Sequence, residues 1–438
     1  MFNFQKKSAL AIVIVLCLRS DVYADNRYDN WPGWRGPDAT GVAVNGNPPI
    51  SWSETENVKW KVRMPDSGDG TPIVWGNKIL VQTAVRTGEE SGEESEPTLV
   101  QNVTVPWRFG LLCLDRETGA TLWERTAITT IPHEGHHISG SFSSYSPVTD
   151  GKHVWANFGS RGLHCYDLDG NHVWSADLME MRVYKALGEG GSLALTRDNV
   201  VIVQDHLGDS KIFAFDKHTG EKRWERARDE PSNWATPLVV THDGVEQVIT
   251  SGASFIRSYD AQSGELVWQC LDPNEESDSS ALSSPVAGLG KVFCATGFLS
   301  HTLAAIDLSE TDDAAKAISW VVDDGAPYVP SPLLYDDRIY FVSENKASLS
   351  CYNASTGTPI YTSQRLKGLS SLYASPVGAA GRIYIADRNG DVMVLKHSDN
   401  FEILAINSLD EGFDASPIIV GNELYLKGEH HLYCIAVP

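Results

Sequence analysis

Ser146-Pro147-Val-Thr-Asp-Gly, Lys152-His-Val-Trp-Ala-Asn-Phe158, Gly159-Ser-Arg-Gly162, Leu163-His-Cys-Tyr166, Asp167-Leu-Asp-Gly170 and Asn171-His-Val-Trp174 follow one another without interruption. Apolar, β-branched and aromatic runs bounded by Asp-Gly or Gly-x-x-Gly corners signal hairpins, and no part of the stretch carries a helical period. The stretch reads as a β-meander. Its opening phrase, Ser or Thr followed by Pro and apolar residues, returns at Pro72, Pro147, Pro237, Pro285, Pro332, Pro376 and Pro417, and Gly191-Ser192-Leu193 stands where another would fall. With Leu193 in that slot the steps are 75, 46, 44, 48, 47, 44 and 41 residues. A period in the forties whose unit is several short strands predicts a β-propeller with one four-stranded blade per repeat. Eight starts predict eight blades in an all-β fold.

The corner before the outermost strand is the most regular part of the repeat. It reads Asp115-Arg-Glu-Thr-Gly119-Ala-Thr-Leu-Trp123, Asp216-Lys-His-Thr-Gly220-Glu-Lys-Arg-Trp224 and Asp260-Ala-Gln-Ser-Gly264-Glu-Leu-Val-Trp268, with a version one residue shorter from Asp167 to Trp174. Asp can accept backbone N–H bonds across the turn, Gly can take the positive φ it requires, and Trp can bury a large face between neighbouring sheets. These residues are therefore expected to hold blades together rather than to do chemistry. The pattern erodes later: blade five stretches it from Asp307 to Trp320, blade six has Asn353, Gly357 and Tyr361, and blade seven has neither Asp nor Trp. Blade eight reaches Tyr433-Cys-Ile-Ala-Val-Pro438 without a fourth strand, while Asn57-Val-Lys-Trp60-Lys-Val-Arg63 has a strand pattern and a Trp with no blade of its own. The expectation is a clasp in which this N-terminal strand completes the last blade and leaves no open edge.

A ring of repeats is one unit, so residues 57–438 read as a single propeller, preceded by an extension over 25–56. Met1 to Ala24 has the form of a signal peptide: Lys6 and Lys7, an apolar run from Ala9 to Leu18, and Val22-Tyr23-Ala24 with small residues at −3 and −1. The run is too short to span a bilayer, so no transmembrane segment is expected. Cys17 is preceded by Leu16 rather than by the small residue a lipid-attachment signal wants, which favours soluble export to the periplasm or beyond. Cys113, Cys165, Cys351 and Cys434 share one slot of the third strand, too far apart on neighbouring blades for a disulfide, and Cys270 and Cys294 could approach only across a blade boundary, so free, buried thiols are expected.

Formal charge is −22. Loss of Lys6, Lys7, Arg19 and Asp21 with the signal peptide takes it to −24. A surface this acidic repels phosphate backbones, which argues against nucleic-acid partners. Glu89, Glu90, Glu93, Glu94 and Glu96 lie in an insertion of blade one between about Arg86 and Phe109, expected to be a solvated loop.

In a propeller the loops leading into the innermost strands gather at one mouth of the channel. Tyr145, Trp234, Tyr328, Tyr373 and Phe413 stand two to four residues before their prolines or the residue in that slot, and Asp414 is beside them. Aromatic walls with a few polar groups make a small-molecule site, or these rings simply pack the loops. His133, Glu134, His136 and His137 form the densest polar cluster, just ahead of the blade-two loop. They lack the helical His pair of zinc proteases, so hydrogen-bonded loop histidines or ligand contacts are expected, with a metal site at His133, His136 and His137 as the lesser alternative. Asp205 and His206 are expected to extend the same polar rim. No Ser-His-Asp order, phosphate-cradling loop or nucleophile elbow is present, and no catalytic residue is assigned.

The repeated corners, the period, the eight starts and the clasp resemble the PQQ-like propeller superfamily, which includes pyrroloquinoline-quinone alcohol dehydrogenases and non-enzymatic BamB-type outer-membrane assembly proteins. Trp31-Pro-Gly-Trp-Arg-Gly-Pro37, Pro132-His-Glu-Gly-His-His137, Phe158 to Asp167 and Trp234-Ala-Thr-Pro237 are similar to exported bacterial PQQ-binding-like repeat proteins. The resemblance implies PQQ as the cofactor to consider, yet the dehydrogenases' adjacent Cys-Cys pair is missing and no Asp or Glu matches their calcium motif, so the cofactor is unassigned. The expectation is an exported monomer that binds a protein or small molecule at its channel mouth without catalysis. The alternative is a quinone- or metal-dependent oxidoreductase using that mouth and the histidines.

Overall fold

The repeats fold as eight consecutive sheets in a ring, each running outward from its Ser/Thr-Pro phrase. A computed structural model describes residues 26–437 apart from 67, 89–98, 102, 274–279, 298–300, 312–313 and 344–345. The signal-peptide reading, Cys17 and the glutamates of the insertion fall outside the described residues. Blade two shows the unit, with Val148–Thr149 innermost, then His153–Asn157, Leu163–Asp167 and His172–Ala176, all antiparallel. Blades one and three to six repeat that order, and blade seven does so with one further strand inside it.

Blade eight is closed by the clasp. Val58–Arg63 pairs antiparallel with His431–Ile435, placing Trp60 opposite Cys434 and Val62 opposite Leu432. Lys59 reinforces the seam with ion pairs to Glu423 at 2.8 Å and Glu117 at 2.7 Å, and Arg116 of blade one reaches Glu423 at 2.6 Å. The predicted seam is thus also where blade eight meets blade one.

The Asp-Gly-Trp corner works between blades, as the sequence implied. In every intact corner the aspartate accepts backbone N–H bonds across the turn, such as those from His218 and Thr219 to Asp216 at 2.9 and 2.8 Å, and from Gln262 and Ser263 to Asp260 at 3.0 and 2.7 Å. Each glycine carries the tryptophan of the preceding blade. A Cβ on Gly119 would lie 2.9 Å from the Trp60 ring, on Gly170 2.7 Å from Trp123, on Gly220 2.5 Å from Trp174, on Gly264 2.5 Å from Trp224 and on Gly357 2.5 Å from Trp320. The indole N–H then donates to the carbonyl just after the corner's Asp or Asn: Trp60 to Arg116 at 3.0 Å, Trp123 to Leu168 at 3.2 Å, Trp174 to Lys217 at 3.1 Å, Trp224 to Ala261 at 3.2 Å and Trp320 to Ala354 at 3.1 Å. Glycine is required twice over, by its positive φ and by the indole lying on it. Where blade five lacks the glycine, Trp268 packs instead with Leu308 and Ala317. All six described cysteines are free and buried, with Cys270 and Cys294 in the one core cluster between blades four and five.

The extension over 26–56 lies across the channel. Trp31 and Val74 exchange backbone hydrogen bonds at 2.9 Å in blade one, and the Pro32 carbonyl accepts from Thr149 in blade two at 2.9 Å. Further on, Thr40 accepts from Leu334 in blade six at 3.3 Å, and Val42–Ala43 adds a parallel strand inside Val377–Ala379 of blade seven. Asn47 then bonds Gly421 of blade eight at 2.7 Å before the chain leaves for the clasp. These contacts cluster where the innermost strands end, opposite the lead-in loops, so the segment stoppers that side of the channel.

Candidate functional site

The Ser or Thr before each blade-opening proline begins the mouth. A backbone N–H buried beside the channel needs an acceptor, and its blade's own second strand does not supply one at this position. The neighbouring blade does. Thr71 N–H donates to the Ser146 hydroxyl at 3.0 Å, Ser146 to Ser192 at 2.9 Å, Ser192 to Thr236 at 2.9 Å and Thr236 to Ser284 at 2.8 Å. The series continues from Ser284 to Ser331 at 2.8 Å, Ser331 to Ser375 at 2.8 Å, Ser375 to Ser416 at 3.0 Å and Ser416 back to Thr71 at 3.1 Å. Eight bonds make a closed circuit around the channel. Each hydroxyl oxygen is fixed as an acceptor and retains its own proton to donate.

Seven of the eight ring residues, all but Ser331, line a cavity of about 500 Å³ on the lead-in side. Trp34, from the extension, also lines it, so the stopper supplies the cavity's deep end. Trp234, Tyr328, Tyr373 and Tyr184 add aromatic surface, and Leu99, Leu187, Leu282 and Val329 add aliphatic surface. The Trp234 indole N–H is fixed by the Gly188 carbonyl at 2.8 Å, and Arg388 stacks on Tyr373 with its guanidinium carbon 4.3 Å from the ring centre.

Two carboxylates meet on this wall. Burial, and then the charge of Asp414, push the Asp69 carboxyl up to about 7. Burial likewise raises Asp414, opposed by Arg388 in an ion pair at 2.6 Å. Asp69 is held by its backbone N–H to Ser141 Oγ at 3.1 Å, and Lys427 Nζ donates to the adjacent Gly68 carbonyl. The arrangement can donate hydrogen bonds from the hydroxyl ring, accept them at Asp69 and Asp414, and stack a flat group on aromatic faces.

Of the twelve residues expected at the mouth, His137, Trp234, Tyr328, Tyr373 and Asp414 line this cavity. The other seven do not: Phe413 is buried against Tyr433 with ring centroids 6.2 Å apart, and Glu134 accepts from Val183 N–H at 2.9 Å. Tyr145 is buried behind the wall, where its hydroxyl donates to Glu189 at 3.3 Å, and Glu189 also accepts from Ser160 N–H at 2.8 Å and pairs with Arg161 at 3.1 Å. His133 donates to the Met181 carbonyl at 2.6 Å, and the buried His136 ring stands edge-on to Phe142 with centroids 4.6 Å apart. Asp205 is consumed by a fully buried pair with Arg228 at 2.7 Å. His206 Nδ1 accepts from Arg182 N–H at 3.2 Å and Gly208 N–H at 3.1 Å. The histidine cluster is therefore divided, with only His137 facing the cavity. Among the described residues no group of three or more His, Cys, Asp or Glu is placed to hold a metal ion.

The far end of the blade-one insertion is ordered against this cluster rather than free in solvent. Val100–Gln101 pairs antiparallel with His136–His137, which brings Leu99 to the cavity edge. Sequence reasoning also missed Trp34, Asp69 and the hydroxyl ring. The ring had a signal in the Ser or Thr fixed before every blade proline. Trp34 had one in two tryptophans among Gly and Pro without a strand pattern.

Comparison with known proteins matches residues 108–363 to the PQQ-repeat family described as outer membrane protein assembly factor BamB. A curated relative of that description from Bordetella pertussis is 24% identical over 226 residues, which is 50% of this chain. The chain spans only 55% of that relative's length. Among solved structures, BamB from Moraxella catarrhalis is similar with a TM-score of 0.58 at 15% identity, covering 86% of this chain and 98% of that one. The computationally designed Ika8 protein follows at 0.54 and 12% identity, covering 78% and 98%. A quinohemoprotein alcohol dehydrogenase from Pseudomonas putida HK5 reaches 0.50 at 13% identity, covering 85% and 77%. At these identities the structural likenesses establish the fold alone.

Proposed function

This chain belongs to the PQQ-repeat family described as outer membrane protein assembly factor BamB, and we propose that it is an exported, non-catalytic binding module. It works in the cell envelope and receives a small ligand or a protein side chain in the mouth. The observation carrying this reading is the cavity itself, walled by Trp234, Tyr328 and Tyr373, ringed by hydroxyls and ended by Trp34. Aromatic faces with a few fixed polar groups suit recognition. Asp414 is already paired with Arg388, and Glu189 with Arg161, which leaves Asp69, raised to about 7 by burial, as the carboxyl of the cavity lining with no ion pair among the described residues. The family relationship supports placement in the envelope, and the acidic surface supports partners other than nucleic acid.

Purified mature protein incubated with PQQ and calcium should give no dye reduction with alcohols or sugars. Turnover above a PQQ-only control would overturn the non-catalytic reading. For the binding half, wild-type protein and a Trp234→Ala Tyr373→Ala double variant are immobilised and exposed to envelope extract and metabolites of the producing cell. Species retained by the wild type should be lost from the variant, and equal retention by both would remove the mouth as the binding site.

A further inference from the structure

The residues two positions ahead of the ring hydroxyls form a second tier of the cavity, and in every blade that residue lines it. Their order around the ring sorts them by chemistry. At the seam stand Asp414 of blade eight, Asp69 of blade one and then Ser144 of blade two, kept side by side by the Ser416-to-Thr71 and Thr71-to-Ser146 bonds. In a closed ring of eight, blade eight faces blade four and blade one faces blade five. The positions across from the two carboxyls are therefore Trp234 and Leu282, followed by Val329 of blade six. Gly190 and Tyr373 separate the two arcs. The cavity is polarised across its width, with carboxyls on one side and apolar surface on the other.

The cations near the carboxyl arc are already engaged. Arg388 is paired with Asp414 at 2.6 Å and stacked on Tyr373, and the buried Lys427 gives Nζ to the Gly68 carbonyl. Asp69 has no ion pair among the described residues, and its carboxylate accepts from the Ser144 hydroxyl at 3.4 Å. Asp66, in the same loop, is taken up by the Ala84 N–H and the Ser143 hydroxyl, while Glu429 adds negative charge beside Asp414. Elsewhere on the cavity Glu189 is paired with Arg161, Lys185 lies over the Tyr184 ring, and burial lowers His137 from its ordinary value. An anion entering here would meet two carboxyls, and a neutral ligand would leave Asp69 without a counter-charge in an enclosed site. A cation answers Asp69, an indole face attracts it further, and an apolar body gains by burial on the opposite arc. We propose that this cavity receives an amphiphilic amine, with its protonated nitrogen against Asp69 at the seam and its apolar body across the channel on Trp234, Leu282 and Val329. A free small molecule and a partner's lysine side chain offer the same chemistry. The inference rests on the mouth being a binding site and adds the class of what binds there. In support, burial and then Asp414 hold the Asp69 carboxyl up at about 7, so below that pH an ammonium must displace a proton to bind. The formal charge of −22 also draws cations toward the protein.

The test is calorimetric titration of the mature protein with phenethylamine, phenethyl alcohol and phenylacetate, which share one ring and differ in charge. The amine should bind about tenfold more tightly than either of the others, as a hydrogen bond to a charged partner allows. Its affinity should fall toward about tenfold per pH unit as pH drops below 7, while that of the alcohol stays level. Asp69→Asn should abolish both the preference and the pH dependence. A capped leucyl-lysyl-leucine peptide that binds more tightly than phenethylamine assigns the amine to a protein, the reverse order assigns it to a free molecule, and either supports the class. Equal affinities for amine and alcohol, a preference for the amine that survives in Asp69→Asn, or no binding of amine or peptide overturns the proposal. Equal binding that Trp234→Ala abolishes removes the amine and leaves the mouth as a binding site, so the two readings fail separately. Should Asp69→Asn not fold, the wild-type preference and pH profile decide alone.

Discussion

Ser416 N–H donates to the Thr71 hydroxyl at 3.1 Å across 345 residues of sequence, and that bond turns seven blade-to-blade links into a circuit. A linear array of repeats leaves its terminal units half-supported. Here the inner circuit and the outer clasp of Trp60 both close on blade one, at opposite radii of the same seam.

Breaking one link tests the circuit. Ser284→Ala takes the acceptor from the half-buried N–H of Thr236, so the loss should fall at the lower end of the about 1–3 kcal/mol that an unmade buried bond costs. Ser284→Thr restores the hydroxyl, as positions 71 and 236 already show, and should recover most of the loss. Urea unfolding midpoints of the three proteins give the answer; equal midpoints for wild type and Ser284→Ala would deny the ring a role in stability.

Two glycine substitutions separate backbone strain from inter-blade packing. Gly244→Ala, at φ +80° with nothing within 4 Å of its Cβ, should lose only the left-handed backbone cost of about 1–2 kcal/mol. Gly220→Ala, at φ +74° and 2.5 Å from Trp174, should lose about 2–4 kcal/mol because the indole must also move. Equal losses would mean that the Trp-on-glycine contact carries nothing.

Trp60→Ala removes the clasp's anchor, with its packing on Gly119 and its bond to the Arg116 carbonyl. For a half-buried tryptophan the expected loss is about 2–4 kcal/mol. Hydrogen exchange should rise over His431–Ile435, its pairing partner, more than over the outer strands of blades three to five. A uniform rise around the ring would contradict a local seam.

Asp69 gives the mouth a pH signature. Its folded carboxyl, raised to about 7 by burial and Asp414, keeps a proton that the unfolded chain releases near 4. Over that window the unfolded state binds fewer protons, so this group's contribution to stability falls as pH rises. Asp307, lowered to about 2 chiefly by its bond to Lys291, acts in the opposite sense, and its contribution is lost as pH drops below about 4. Asp69→Asn should flatten the decline in unfolding midpoint between pH 4 and 7; an unchanged slope would place the Asp69 carboxyl in an ordinary solvated setting.

The ring was legible because its determinants are local. The Asp216-to-Trp224 corner carries its turn acceptor, its glycine and its inter-blade tryptophan within nine residues, and the period repeats them. The clasp was legible by elimination, since one strand pattern and one tryptophan had no blade. Of the five aromatics before blade prolines, Trp234, Tyr328 and Tyr373 line the mouth, while Tyr145 and Phe413 are buried away from it. The polar residues were harder to place, since proximity to the mouth in sequence says nothing about which partner a polar group finds. Asp205 met Arg228, His133 met a carbonyl, and His136 met Phe142. Trp34 was marked only by the pair of tryptophans among Gly and Pro, and its place at the cavity was not legible because it depends on contacts of the extension with blades one, two, six, seven and eight at once, with no repeat to reveal them.

The central claim is that this mouth receives a partner, and site-specific photo-crosslinking in the producing cell tests it most directly. A photo-reactive residue at Tyr328 on the cavity wall is compared with one at Leu266, exposed on the outer strand of blade four. The account predicts a discrete adduct from position 328, small molecule or protein by mass, that is absent from position 266 and diminished by Trp234→Ala. Adducts from position 266 alone, or adducts at 328 that ignore Trp234, would contradict it.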